Sequence, residues 1–185
     1  MIVMRRLTAA DSPALIAFLQ GDEWPFHAGP RPDFAATSAW VGSFESDSDS
    51  VETWWIQAGA EAVGLVRLFD LADDTAMFDL RILTAYRGQG IGAATVRWLA
   101  DRIFTSRSCS RIEANTRQDN VAMRHALLSC GWAKESHYRA SWPDRTGTVI
   151  HDAVGYAILR ADWLDGTRTP VNWDDEPAVS PASPA

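Results

Sequence analysis

The residues whose types and spacing could do chemistry most directly are Arg87-Gly88-Gln89-Gly90-Ile91-Gly92-Ala93. A strand-like run ends just before them and a long amphipathic stretch begins just after. Glycines let successive backbone N–H groups converge on one point with no side chain in the way. A helix starting here adds unpaired N–H donors and partial positive charge, so the turn suits a pyrophosphate. Arg87 can add a charge-assisted contact. Gly88, Gly90 and Ala93 also meet the G-x-G-x-x-G/A spacing of dinucleotide-binding turns. That reading needs parallel strands around the turn and an acid about 20 residues further on. Arg107, Ser108 and Cys109 occupy that place, and Glu113 comes several positions late.

The elements that must position this turn can be read from hydrophobic periodicity. Residues 2–7 read as a strand, and residues 13–19 as a helix entered through a Thr8/Asp11 capping pair and stopped by Gly21. A Pro- and Gly-rich bend from Trp24 to Pro32 precedes a helical stretch at 33–44, and 45–50 is a polar loop. Residues 51–58, 62–70 and 75–84 are strand-like, with connections short enough for an antiparallel meander. Residues 92–105 form an amphipathic helix, 110–115 a strand and 120–130 a second helix closed by Gly131. Two strands at 134–142 and 148–159 flank the turn sequence Pro143-Asp144-Arg145-Thr146-Gly147. The predicted class is α+β, a mixed, mostly antiparallel sheet flanked by helices. One domain is expected over 1–164, followed by a Pro/Ala/Asp-rich, disordered tail at 165–185.

Arg87, Gly90 and Gly92 also satisfy R/Q-x-x-G-x-G/A, and this stretch resembles the acetyl-CoA-binding loop of the GNAT N-acetyltransferases. Two further blocks carry the resemblance across roughly residues 1–163. Asn120 to Gly131-Trp132 is similar to the family's N-x-x-A-x-x-x-Y-x-x-x-G-F block, with Trp132 for Phe. Asp152 to Trp163 resembles the closing strand of the RimJ/RimL-like branch. The resemblance implies acetyl-CoA as cosubstrate, with its pyrophosphate on the amides of Gly88, Gln89, Gly90, Ile91, Gly92 and Ala93. It implies that the pantetheine arm runs along the strand edge near Arg81, Ile82 and Leu83, held by Asn120. A backbone N–H near Ile82 would polarise the thioester carbonyl.

The chain departs from the family at Leu127, where the resemblance expects a tyrosine to protonate the leaving thiolate. Met123 falls where the RimL-type serine would be. Tyr138, Tyr156, Ser129 and Cys130 are the substitutes the sequence offers. An ammonium must also lose a proton before it attacks. Asp79, alternating with Arg81 and Leu83, and Glu113 on the following strand are the candidate bases. Asp79, Glu113 and Tyr138 are therefore the expected catalytic residues. Trp24, Phe26 and His27, in the bend where this family builds its acceptor pocket, are expected to bind the acceptor together with Trp142. Solvent exposure is expected for His125 and His137.

Composition bounds the partners. The chain has 185 residues, 46% apolar and 22% charged, with 17 Lys+Arg, 24 Asp+Glu, a net charge of −7 and nine tryptophans. Residues 161–185 hold five acids against Arg168, carrying −4 of that charge, so residues 1–160 carry only −3. Nucleic acid is a poor partner for such a balance, and no apolar run reaches the ~20 residues that span a bilayer. Cys109 and Cys130 lack a metal-ligand spacing, no metal is expected, and free thiols point to a cytoplasmic protein. A small-molecule amine is the favoured acceptor, leaning to an amino-sugar antibiotic of the aminoglycoside or kasugamycin type. The indoles would cover a sugar face and carboxylates would receive its ammonium groups. A protein N-terminal α-amine of RimJ/RimL type and a polyamine are alternatives, as is a non-catalytic acyl-CoA-binding regulatory domain. A monomer or homodimer is expected.

Overall fold

The computed structural model describes residues 2–27, 33–44 and 48–173. The strands are β1 (Ile2–Arg6), β2 (Glu52–Ala58), β3 (Glu61–Phe69), β4 (Thr75–Ile82), β5 (Arg111–Arg117), β6 (Ala133–Pro143) and β7 (Ile150–Leu159). The helices are α1 (Ser12–Gly21), α2 (Phe34–Phe44), α3 (Ile91–Ser106), α4 (Val121–Ser129) and α5 (Arg160–Asp165). The strands make one sheet in the order β1-β2-β3-β4-β5-β7-β6. Every neighbouring pair is antiparallel except β4 and β5, which run parallel. This is the expected mixed, mostly antiparallel sheet flanked by helices.

Strand alternation sends residues to two different cores. On β2, Trp55 joins Leu15, Phe18 and Leu19 of α1 and Val41 of α2, whereas its neighbour Ile56 packs with Val96, Leu99 and Ile103 of α3 and Leu127 of α4. A helix thus covers each face, as a two-faced strand pattern requires. Burying one such Leu or Ile side chain stabilises the fold by ~1.5–3 kcal/mol relative to leaving it in water.

The feature that matters for function is a gap in the sheet. β4 pairs with β5 only through Thr75, Ala76 and Met77, opposite Arg111, Ile112 and Glu113. Beyond Met77, β4 continues to Ile82 against β3 alone. The Leu83 N–H donates to Val63 O at 3.0 Å, towards β3. Successive N–H groups of a strand point to opposite edges, so the Ile82 N–H lies on the open edge facing the gap.

Several sequence expectations need correction. The strand expected to run to 84 ends at Ile82 and passes into a 3₁₀ turn, Thr84–Tyr86. The last strand ends at Leu159 as expected, but the end of the closing block, to Trp163, is not strand, because the chain turns into α5 at Arg160. Arg160 explains the turn: its guanidinium donates to Phe104 O, Arg107 O and Cys109 O at 2.6, 2.5 and 2.8 Å. α5 therefore crosses the expected boundary at residue 164. The start of the expected tail is fastened by Asp162, whose carboxylate accepts from Thr167 and Thr169. Residues 174–185, with most of the tail, and 28–32 and 45–47, with parts of the predicted bend and loop, lie outside the described residues. Among the described residues no helix is long and apolar enough to cross a membrane.

Candidate active site

The gap between β4 and β5 opens into a cavity of about 750 Å³. Its walls are the β4 edge, the Gly-rich turn, the first turn of α3, one face of α4 and the segment Trp24-Pro25-Phe26-His27. Gly88 and Gly90 have φ of +74° and +79°, a region open to glycine at little cost. Gly90 is the N-cap of α3, so the unpaired N–H groups of that helix end face the cavity. Residues Gly90, Gly92 and Ala93 on one side and Ala122, Ala126 and Ser129 on the other are all small. A slender, phosphorylated ligand fits between two helices lined in this way, with donors for its phosphates and the strand edge for its amides. The residues present therefore fit acetyl-CoA.

Among the expected cofactor residues, Ile82, Arg87, Gly88, Gly90, Ile91, Gly92, Ala93 and Asn120 line the cavity, but Leu83 and Gln89 do not. Leu83 packs against the α1/α2 core, and the Gln89 side chain folds back to donate to Ala85 O at 3.0 Å. Arg87 is turned away from the phosphate position it was expected to take. Its Nε donates to Ile82 O at 2.8 Å and its Nη2 to Glu23 O at 2.7 Å, with the guanidinium over the Trp24 ring. Together with Asp22, which accepts from the Thr84 N–H and hydroxyl at 2.5 and 2.6 Å, it ties the turn to the end of α1. Asn120 is in the cavity wall and also caps α4: its Oδ1 accepts from the Met123 N–H, and its Nδ2 donates to Thr116 Oγ1.

The expected catalytic residues do not all come together. Glu113 pairs with Arg111 and Asn115 and, with Tyr138, lines a separate cavity of about 120 Å³. Trp142 is outside the main cavity, on β6 opposite His151. The position of Trp142 reflects β6, whose register shifts between Tyr138 and Trp142 around Ala140, a residue at φ +47°. Trp24, Phe26 and His27 do line the main cavity. Of the four substitutes for the missing tyrosine only Ser129 lines it; Leu127 itself is fully buried in the core.

Asp79 lies directly behind the cavity wall. His27 Nε2 is 2.7 Å from Asp79 Oδ1, and Arg81 Nε and Nη2 donate to Asp79 Oδ2 at 3.1 and 3.0 Å. Burial pushes this carboxyl up, but hydrogen bonds and charge from His27 and Arg81 outweigh it and hold Asp79 down to about 2. The Arg81 guanidinium in turn lies 5.6 and 5.3 Å from the Trp24 and Trp40 ring centroids.

Sequence reasoning missed most of the α4 wall, and it placed Arg81 on the strand edge without its bonds to Asp79. His125, expected in solvent, is exposed yet forms part of that wall. The signal was present: Ala122, His125, Ala126 and Ser129 recur at helical spacing on one face.

The family profile described as Acetyltransferase (GNAT) domain matches residues 2–133. A comparison with curated protein sequences finds no match. Among solved structures, a chimera of the Vibrio cholerae spermidine N-acetyltransferase SpeG and hSSAT is 18% identical. It covers 89% of this chain and 98% of its own, with a TM-score of 0.77. The Vibrio cholerae spermidine N-acetyltransferase in complex with CoA and spermine, also 18% identical, covers 88% and 98% with a TM-score of 0.69. RimL, a ribosomal L7/L12 alpha-N-protein acetyltransferase in complex with CoA, is 17% identical and covers 85% and 93%, with a TM-score of 0.75. At these identities the likeness is one of fold. The profile match spans well over half of the chain and includes the Gly-rich turn that builds the cavity, and on that ground the chain belongs to the GNAT acetyltransferase family.

Proposed function

We propose that this acetyltransferase moves the acetyl group of acetyl-CoA to the α-amine of a peptide or protein N-terminus. The cosubstrate would lie on the amides of the Gly88–Ala93 turn and along the β4 edge, with the Ile82 N–H aimed at the thioester carbonyl. The acceptor would enter past Trp24, Pro25 and Phe26. The observation that carries this choice is the charge of the wall: among the described residues lining the cavity there is no Asp or Glu, whereas Arg81, Arg87, His27 and His125 are present. A polyamine or multiply charged amino sugar needs carboxylates for the ammonium groups that do not react. A single α-amine beside an apolar first side chain needs only an aromatic wall and a proton acceptor.

An amino sugar is the second reading, because Trp24 and Phe26 offer flat apolar faces to a sugar ring. Structural likeness to both spermidine and RimL-type enzymes leaves the acceptor to the site itself. The deciding experiment measures CoA thiol release from acetyl-CoA with short peptides, aminoglycosides and spermidine at equal concentrations. The highest kcat/KM is expected with a peptide bearing a free N-terminus, and none with the same peptide blocked at that amine. Preferential turnover of spermidine or an aminoglycoside would contradict the proposal. Acetyl-CoA binding with no turnover across the panel would support the non-catalytic alternative.

A further inference from the structure

The proposed transfer needs a group to take the ammonium proton, and the acids expected for it are poorly suited. Glu113 faces a different cavity and is already paired with Arg111. Asp79 is bound through one oxygen by His27 and through the other twice by Arg81, and it is not among the residues that line the cavity, so it is poorly placed to meet a substrate. The ring that stands between Asp79 and the cavity is His27.

We infer that His27 is the general base of acetyl transfer, held in its working tautomer by Asp79, a positioning residue. Three observations carry this. His27 lines the cavity at the acceptor end, beside Trp24 and Phe26. Its Nε2 is within hydrogen-bond distance of a carboxylate that is itself anchored by Arg81. Its Nδ1 is a buried ring nitrogen with no hydrogen-bond partner among the described residues. A buried polar atom with nothing to bond is costly, and costlier as an N–H donor than as a lone pair. The carboxylate therefore fixes the proton on Nε2 and leaves the lone pair on Nδ1, which is covered in the free protein and meets an incoming amine once acceptor binding opens the wall over it.

The charged groups around the ring are Asp79 and Arg81 on β4, Arg87 after it, and Arg117 at the end of β5. Arg117 donates to Pro25 O at 3.0 Å and lies 5.1 Å from the Phe26 ring centroid, with Asp119 paired to it. His125 faces the same cavity from α4, and α2 carries no titratable side chain. Only Asp79 presents an acceptor to the imidazole among these.

The proton balance is complete without the missing tyrosine. One proton passes from the ammonium to Nδ1, making an imidazolium opposite the Asp79 carboxylate. The freed amine forms its bond to the acetyl carbon as the carbon–sulfur bond breaks. The second proton of the attacking nitrogen leaves with the thiolate sulfur, and His27 returns its own proton to solvent. A buried Leu127 is compatible with this route, because sulfur is protonated from the nucleophile.

The inference rests on the acetyl-transfer reading, and the experiment separates the two. Thiol release is measured against pH for the natural chain, His27→Gln and Asp79→Asn, using the best acceptor of the panel and correcting for its own ionisation. Acetyl-CoA affinity is measured in parallel by calorimetry. His27→Gln should lose about 100-fold in kcat/KM with acetyl-CoA affinity unchanged, and its acidic limb should vanish. Added imidazole should restore activity to a His27→Ala variant. Asp79→Asn should lower kcat and leave the acceptor KM within about twofold, because the tautomer and not the pocket is altered. An acidic limb that persists unchanged in His27→Gln, or no imidazole rescue in a folded, acetyl-CoA-binding His27→Ala, overturns the dyad while leaving the acetyl-transfer reading intact. No turnover by the natural chain with any amine defeats that reading instead.

Discussion

Arg81 shows how one residue can serve both core and site. Its guanidinium bonds the Asp79 carboxylate twice and lies over the Trp24 and Trp40 rings, with the side chain only 11% exposed. Charged hydrogen bonds of this kind contribute about 1.5–3 kcal/mol, and a desolvated cation over an indole adds up to about 2. Arg81→Ala is expected to lower the thermal midpoint by roughly 4–10 °C, at about 2–4 °C per kcal/mol for a chain of this size. Arg81→Lys should recover little of this, since an ammonium cannot bond the carboxylate through a fork. Thermal unfolding followed by circular dichroism checks both variants. None of this was legible locally. Arg81 reads as an alternating strand residue, and its partner Trp40 lies about 40 positions away. His27 and Asp79 are 52 residues apart, and only the packing of the bend onto β4 brings them together. The Gly-rich turn was legible because its chemistry is made by adjacent backbone groups.

At the scale of elements, Glu52 joins three of them. It lies near the start of β2, with its side chain 4% exposed, and pairs with Arg102 and Arg107 at the end of α3 and Arg6 of β1 at 3.0, 2.9 and 3.1 Å. Arg6 and Arg102 also flank the Trp54 ring, at 5.0 and 5.3 Å from its centroid. Burial raises the Glu52 carboxyl, but the bonds from Arg102 and Arg107 and the charge of Arg6 prevail and bring it from 4.5 to about 2. A depressed carboxyl stabilises the folded state fully above its ordinary value and loses that contribution as pH falls through the folded one. The contribution should therefore fade between pH 4.5 and about 2. Glu52→Gln is expected to cost about 2 kcal/mol at pH 7, with the gap to the natural chain closing as pH falls through that window. Urea unfolding at pH 7, 4 and 3 tests it, and a constant gap would contradict the assignment.

Strands and helices were legible at this scale because periods of 2 and 3.6 are local properties. α5 was not, since Arg160 turns the chain by reaching carbonyls more than 50 positions back. The placement of Trp142 failed for a related reason: the register shift around Ala140 has no glycine to announce it.

For the whole molecule, function follows from an interrupted sheet. β4 and β5 part after three paired residues, and the opening is walled by the N-terminus of α3, one face of α4 and the segment 24–27 that follows α1. Arg87 and Asp22 join the Gly-rich turn to the chain just after α1, so the turn and the segment 24–27 are built as one unit. The sequence showed the two halves as separate motifs; their distance in the chain hid that they share a cavity. Everything proposed for the reaction requires that this cavity take acetyl-CoA through the turn at Gly90. Gly90 has φ +79° and open space where a Cβ would stand, so valine there strains the turn that sets the amides rather than clashing with the core. Calorimetric titration of acetyl-CoA into the natural chain and Gly90→Val tests this most directly. Saturable 1:1 binding to the natural chain is expected, with a loss of at least about 100-fold in affinity in a folded Gly90→Val. Equal affinity in the two proteins would contradict it.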